Sequence, residues 1–239
     1  MKTTFFSHKL AILSLLFLSI GLSITAWKMH QYKDRFQEIT DNQRWENILS
    51  ENNVYDENSI VFLGDSQIAR WKMAPSFGSL PILNRGISGD WALKALERFD
   101  KDVLELKPKL LVLLIGTNDL EHGQSIDEIL SNIEIMLKEA HEQDIKVILC
   151  SLLPVRGQYI KDRPINDILK INDHLSGLSI KHIADYVDFH SELIDNEGTF
   201  TLEFTSDGLH PNRQGYMKMS KIIFPYLIKN ISKIFKHTD

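Results

Sequence analysis

The sequence predicts an α/β fold built on a parallel sheet, and two observations carry that expectation. Short continuous apolar runs, residues 60–63, 109–115 and 145–150 among them, are each followed by a stretch with helical spacing. Strands that are apolar without alternation are buried on both faces, and a helix after each one makes neighbouring strands parallel. The second observation is how the runs end. Gly64-Asp65-Ser66 and Gly116-Thr117-Asn118 are turn sequences with reactive or hydrogen-bonding side chains. Open parallel sheets bind ligands at the carboxyl ends of their strands.

Taken in order, the first strand covers residues 59–63. A short apolar run at 80–83 precedes Asn84-Arg85-Gly86-Ile87-Ser88-Gly89-Asp90, and a helix follows over 91–106 with a break near Asp100. Residues 109–115 are the most hydrophobic strand. The helix over 125–143 sets Ile126, Ile129, Leu130, Ile133, Met136 and Leu137 at helical spacing behind a Ser125/Glu128 capping box. A strand at 145–150, a helix at 164–178, a short strand at 186–189 and a helix at 212–234 complete the alternation. There is no internal repeat.

The bulk numbers fit one such domain. The chain has 239 residues; about two hundred remain once the first thirty or so are set aside, enough for a single core. A net charge of -5 with scattered Lys and Arg gives no electrostatic reason to expect nucleic acid. The one cysteine, Cys150, lies inside an apolar run. It can make neither an internal disulfide nor a thiolate metal cluster, and is expected in the core.

The amino-terminal part differs. Residues 1–9 are a basic start with Lys2 and Lys9, and 10–27 are almost wholly apolar. At ~1.5 Å rise per residue such a run approaches the length that crosses a bilayer core of ~30 Å. It suits an uncleaved hydrophobic anchor helix better than a cleaved signal, being long for a signal core and lacking a clean Ala-x-Ala site. Lysines before the run keep the N-terminus cytoplasmic. The expectation is a membrane-anchored domain facing outward, or a secreted or periplasmic one if the segment is cleaved. Residues 28–58, with spaced Phe36, Ile39, Trp45, Ile48 and Leu49, read as an amphipathic helical connector. The domain itself covers 59–239.

Four turns should meet at one crevice if the sheet is parallel, and each supplies something acyl transfer needs. A serine is a poor nucleophile unless a base lies within hydrogen-bond reach and donors await the oxyanion. Ser66 ends the first strand. His210, in a Pro-bounded turn three residues after Asp207, can take the serine proton and return it to the leaving oxygen. Asp207 is placed to hold the other ring nitrogen. The Gly89 N–H, the Asn118 side-chain amide and the Ser66 N–H are candidate oxyanion donors. Each residue also has a plainer reading: serine caps helices and Asn118 forms turns. Asp119 reads as a turn former, Asp65 and Asp90 as loop braces.

On these residues the chain resembles the SGNH (GDSL-type) hydrolases, a family of esterases and lipases. The matching blocks are Gly64-Asp65-Ser66, Asn84 to Asp90, Gly116-Thr117-Asn118-Asp119 and Asp207-Gly208-Leu209-His210-Pro211, in family order over nearly all of the domain. Gln67 stands where the name-giving leucine would be. The resemblance implies a three-layer α/β/α fold with a five-stranded parallel sheet, a Ser66–His210–Asp207 triad, and no metal or cofactor. In wording it lies nearest the branch of platelet-activating-factor acetylhydrolase-like proteins and carbohydrate acetylesterases. Gln67, Trp71 and Arg156 are candidates for the substrate pocket, although Trp71 also suits packing under the loop and Arg156 a solvated surface. The expected function is hydrolysis of a short acyl ester, acetyl foremost, on an extracytoplasmic glycan or lipid. A lysophospholipase, thioesterase or acyltransferase would use the same site, and a non-catalytic polysaccharide-binding domain would keep only the fold. Oligomeric state is not encoded in any feature above.

Overall fold

The computed structural model describes residues 59–78 and 80–235. The expected basic start, anchor segment and connector lie outside the described residues. Among the described ones, no helix is long and apolar enough to cross a membrane.

Five strands, β1 (Ile60–Gly64), β2 (Ile82–Gly86), β3 (Leu110–Leu114), β4 (Lys146–Cys150) and β5 (Asp185–Val187), form one sheet in the order β2-β1-β3-β4-β5. Every pairing is parallel. The helices are α1 (Ser66–Ala69), α2 (Met73–Phe77), α3 (Ala92–Glu97), α4 (Thr117–Glu121), α5 (Ile126–Glu142), α6 (Ile165–Lys181), α7 (His190–Leu193) and α8 (Arg213–Phe235).

Successive side chains of the strands enter opposite cores, as a two-residue period requires. Val61, Leu63, Leu111, Leu113, Val147 and Leu149 pack with α3, α5 and α6 on one face. Ile60, Phe62, Leu110, Val112, Ile148, Cys150 and Val187 pack with α1, α2, α7 and α8 on the other. This is why the strands read as unbroken apolar runs. Cys150 sits in the second core, where burial pushes its thiol pKa up.

The expected strand at 80–83 is shifted. β2 runs on through Asn84, Arg85 and Gly86, residues that read as turn chemistry. Asn84 is tolerated in a strand because both ends of its amide are satisfied: Nδ2 donates to the Ile68 carbonyl of α1 at 2.8 Å, and Oδ1 accepts the Gly86 N–H of the same strand. A Cβ on Gly86 would lie 2.2 Å from the Ala69 nitrogen, so only glycine lets helix and strand approach this closely. The helix expected at 91–106 breaks as anticipated, into α3 and a π-helical turn at Asp100–Leu104. Helix α5 begins with the expected box, in which Ser125 and Glu128 satisfy each other's backbone N–H.

The sheet registers Gly64 with both Gly86 and Leu114. Three neighbouring strands therefore end level, and the loops carrying Ser66, Gly89 and Asn118 leave the sheet side by side.

Candidate active site

Ser66 is the first residue of α1, separated from the end of β1 by Asp65 alone. It is not the helix cap. Asp65 is, its Oδ1 accepting the Gln67 N–H at 2.8 Å, which leaves the serine hydroxyl for another partner. That partner is His210: Ser66 Oγ lies 3.0 Å from His210 Nε2. In the first turn of a helix the backbone N–H has no intrahelical acceptor, so the Ser66 N–H is available beside its own hydroxyl.

The other imidazole nitrogen, Nδ1, lies 2.7 Å from Asp207 Oδ2. Asp207 Oδ1 accepts the backbone N–H of both Leu209 and His210. Thr205 closes the turn, its hydroxyl donating to the His210 carbonyl at 2.8 Å and accepting the Gly208 N–H. Burial pushes the Asp207 carboxyl up, but the His210 and Leu209 N–H bonds and the imidazole outweigh it and hold it at about 2. For His210 the order is reversed. Burial lowers its pKa, the Asp207 bond raises it, the charges of Arg70 and Arg163 lower it again, and the net direction is down. The imidazole is neutral at neutral pH, the form that accepts a proton.

The second and third blocks are locked to each other. Gly89 takes φ +85°, and a Cβ there would meet no protein atom within 4 Å. The glycine is required by backbone conformation rather than crowding. The turn's own bond runs from Asp90 N to Ile87 O and leaves the Gly89 N–H out of it. Asn118 Nδ2 donates to the Asp90 carbonyl at 2.8 Å. Asp119, read as a turn former, caps α3 instead: both its oxygens accept the Ala92 N–H. Its burial raises the carboxyl to about 6 against the opposing Ala92 bond. Asp65 is raised further, to about 7, by burial first, with the Asp119 and Asp90 charges adding and the Gln67 bond opposing.

The three pocket candidates each have defined partners. Gln67 is 1% exposed and its Nε2 donates to the Leu209 carbonyl, so it ties α1 to the histidine turn. Trp71 is 1% exposed and lies within an aromatic cluster of Phe62, Phe77, Phe189 and Tyr216, its Nε1 donating to Ser76 and Ser220. Packing is its role. Arg156 pairs with Asp195 and donates from Nε to the Phe200 carbonyl, while its backbone N–H donates to Gly208 O. It props the histidine turn from outside.

Sequence reasoning missed two arginines. Arg98 donates to Asp90, Asp102, and the Gly64 and Arg85 carbonyls, pinning the ends of β1 and β2 to the Gly89 loop. Its i,i+4 spacing to Asp102 was the only local signal. Arg163, in the charged run before Pro164, reaches the Asn118 side chain, and nothing local announces that. Among the described residues, no group of three or more His, Cys, Asp or Glu side chains is placed to hold a metal ion.

A hydroxyl, an imidazole and a carboxylate in series, beside two loops rich in N–H donors, can deliver an alkoxide to an ester carbonyl and hold the resulting charge. Known proteins resemble the chain in the same region. Residues 62–218 match the model of the GDSL-like Lipase/Acylhydrolase family. Over 200 residues the chain is 28% identical to platelet-activating factor acetylhydrolase IB subunit alpha2 of Rattus norvegicus, covering 77% of this chain and 84% of that one. It is 29% identical over 150 residues to an acetylxylan esterase of Xylanibacter ruminicola, covering 52% of this chain and 29% of the esterase. The solved structure of a GDSL-like lipase of Bacteroides thetaiotaomicron is similar with a TM-score of 0.71 at 29% identity, covering 77% of this chain and 97% of that one. With all four strand-end blocks inside that family match, the chain belongs to the GDSL-like lipase/acylhydrolase family and is a carboxylic ester hydrolase.

Proposed function

We propose that the protein is a serine esterase that removes a short acyl group, acetyl foremost, from an extracytoplasmic glycan or lipid. The observation that carries the reading is the series Ser66 Oγ to His210 Nε2 at 3.0 Å and His210 Nδ1 to Asp207 Oδ2 at 2.7 Å. His210 takes the proton as Ser66 Oγ bonds to the carbonyl carbon, and Asp207 holds the imidazolium that forms. The Ser66 and Gly89 N–H groups and the Asn118 amide receive the oxyanion; loss of one such donor typically costs about 2.7–4 kcal/mol of transition-state stabilisation. The carbonyl re-forms as the alkoxide leaves with the proton from Nε2. Water, deprotonated by the same nitrogen, then releases the acyl group from Ser66.

Acetyl is favoured because two similar proteins carry it in their names, an acetylhydrolase and an acetylxylan esterase. The outward location rests on the sequence of residues 1–27 alone, the apolar run and the lysines before it. The test is a chain-length series of p-nitrophenyl esters, acetate to palmitate, with the native protein and Ser66→Ala. Acetate should be the best substrate, and the substitution should abolish turnover and labelling by a fluorophosphonate. Undiminished turnover in Ser66→Ala removes the nucleophile, a preference for palmitate points to a lipase or thioesterase, and inertness to every activated ester points to a binding domain.

A further inference from the structure

We infer that Arg163 is a positioning residue that fixes the Asn118 amide with one N–H aimed at the reacting carbonyl; this rests on the oxyanion role proposed for Asn118. A terminal amide can be seated either way round, and only one way offers N–H to an oxyanion. Here both ends are specified. Arg163 Nη2 donates to Asn118 Oδ1 at 3.2 Å, and Asn118 Nδ2 donates to the Asp90 carbonyl at 2.8 Å. A guanidinium is a donor only and a carbonyl an acceptor only, so reversing the amide would set donor against donor and acceptor against acceptor. Of the two N–H groups on Nδ2, one is spent on Asp90 and one is left over. The cation at the oxygen end also draws charge through the amide and makes that remaining N–H a stronger donor.

Stability does not account for the arginine. Its side chain is 2% exposed, and its Nε and Nη1 have no hydrogen-bond partner among the described residues. An incompletely paired buried charge is costly, and well-packed apolar residues often replace such groups without loss. What the surroundings do is hold the guanidinium still. Glu121 pairs with Nη2 from the rim, the Tyr159 ring lies 5.7 Å from Cζ, and the Arg163 N–H donates to the Tyr159 carbonyl. Pro164 follows at the start of α6 and restricts the backbone of the residue before it. The cation is thus delivered to Asn118 from a separate, rigid part of the chain.

The experiment is a double-mutant cycle on p-nitrophenyl acetate hydrolysis with Arg163→Met, Asn118→Ala and the pair. Asn118→Ala should lower kcat by about 10²–10³-fold, as the loss of an oxyanion donor does. Arg163→Met should lower kcat by about 10–100-fold with KM held within about twofold, and should cost under about threefold once Asn118 is already alanine. An unchanged kcat in Arg163→Met, or an equal loss in both backgrounds, overturns the inference while leaving the oxyanion reading intact. A wild-type kcat in Asn118→Ala removes that reading, and the inference with it. Far-ultraviolet circular dichroism checks each fold. If Arg163→Met does not fold, Arg163→Lys, which keeps the charge but loses the fork, goes through the same cycle under the same criteria.

Discussion

The Gln67 side-chain amide donates to the Leu209 carbonyl at 2.9 Å. The residue after Ser66 thereby grips the residue before His210, across a sequence gap that no local rule spans. Tyr216 adds a second clasp from α8, its hydroxyl donating to the Gln67 carbonyl at 2.9 Å. The 3.0 Å between Ser66 and His210 is maintained from behind by these contacts. Gln67→Ala strands a buried carbonyl, which costs about 1–3 kcal/mol, and releases the histidine turn. Urea unfolding should register the lost stability. Initial rates should show kcat down by about tenfold or more, since displacement of about 1 Å at a reacting pair can cost 10²-fold. A variant with native kcat would show that the grip does not matter to the chemistry.

Asp207→Asn separates the two jobs of that carboxylate. The asparagine oxygen can still accept the Leu209 and His210 N–H groups, so the turn should hold and the melting temperature should stay near the native value. The other arm becomes an NH2 facing Nδ1, which forces the proton onto Nε2 and leaves nothing to receive the serine proton. Turnover should drop by about 10⁴-fold. Steady-state kinetics beside a thermal melt decides it; parallel losses of fold and rate would mean that Asp207 is chiefly structural.

The acid limb of the rate profile follows from His210. Its pKa is lowered from the ordinary 6.5, with burial the largest cause, and the neutral form is the one that can accept the serine proton. Activity should be full at neutral pH and fall as the pH drops, with a midpoint below about 6.5. A kcat/KM profile between about pH 4 and pH 8 measures it. A flat profile, or a midpoint above 7, contradicts His210 as base.

Much of this was legible beforehand where the cause is local. The Ser125/Glu128 box, the unbroken strands β3 and β4, and the spacing of Asp207 and His210 are written in residues within a few positions of each other. What was not legible depended on distant partners. Trp71 suited the pocket or packing equally until α8 supplied Ser220 and Tyr216 to its indole, and Arg156 looked solvated until Asp195 and the Phe200 carbonyl met it. Arg163 sits in a charged loop, and its contact with Asn118 joins residues that are distant in the chain. Strand β2 was misplaced by its polar residues, of which Asn84 is satisfied by a neighbouring helix and by the strand itself.

Asp65 carries a pH signature of its own. Its folded pKa of about 7 stands above the ordinary 3.8, so between those values the folded chain keeps a proton that the unfolded chain has lost. That stabilisation is complete below about pH 4 and disappears as the pH rises through about 7. Asparagine at this position has no proton to lose. Relative to the native protein, Asp65→Asn should gain in melting temperature as the pH is raised from about 4 to about 8. A constant difference across that range would mean that Asp65 is ionised throughout.

The turn from Thr205 to Pro211 is bonded to itself, by the Thr205 hydroxyl, by Asp207 and by the bridge between its two ends. Mechanically it is a cassette: the imidazole and its carboxylate travel as one piece. Separating the turn from Ser66 would part Oγ from Nε2 and strain the Gln67 clasp, yet leave the ring's other side docked on Asp207. A resting enzyme of this build would still give the strongly deshielded Nδ1 proton signal of a carboxylate-bound histidine.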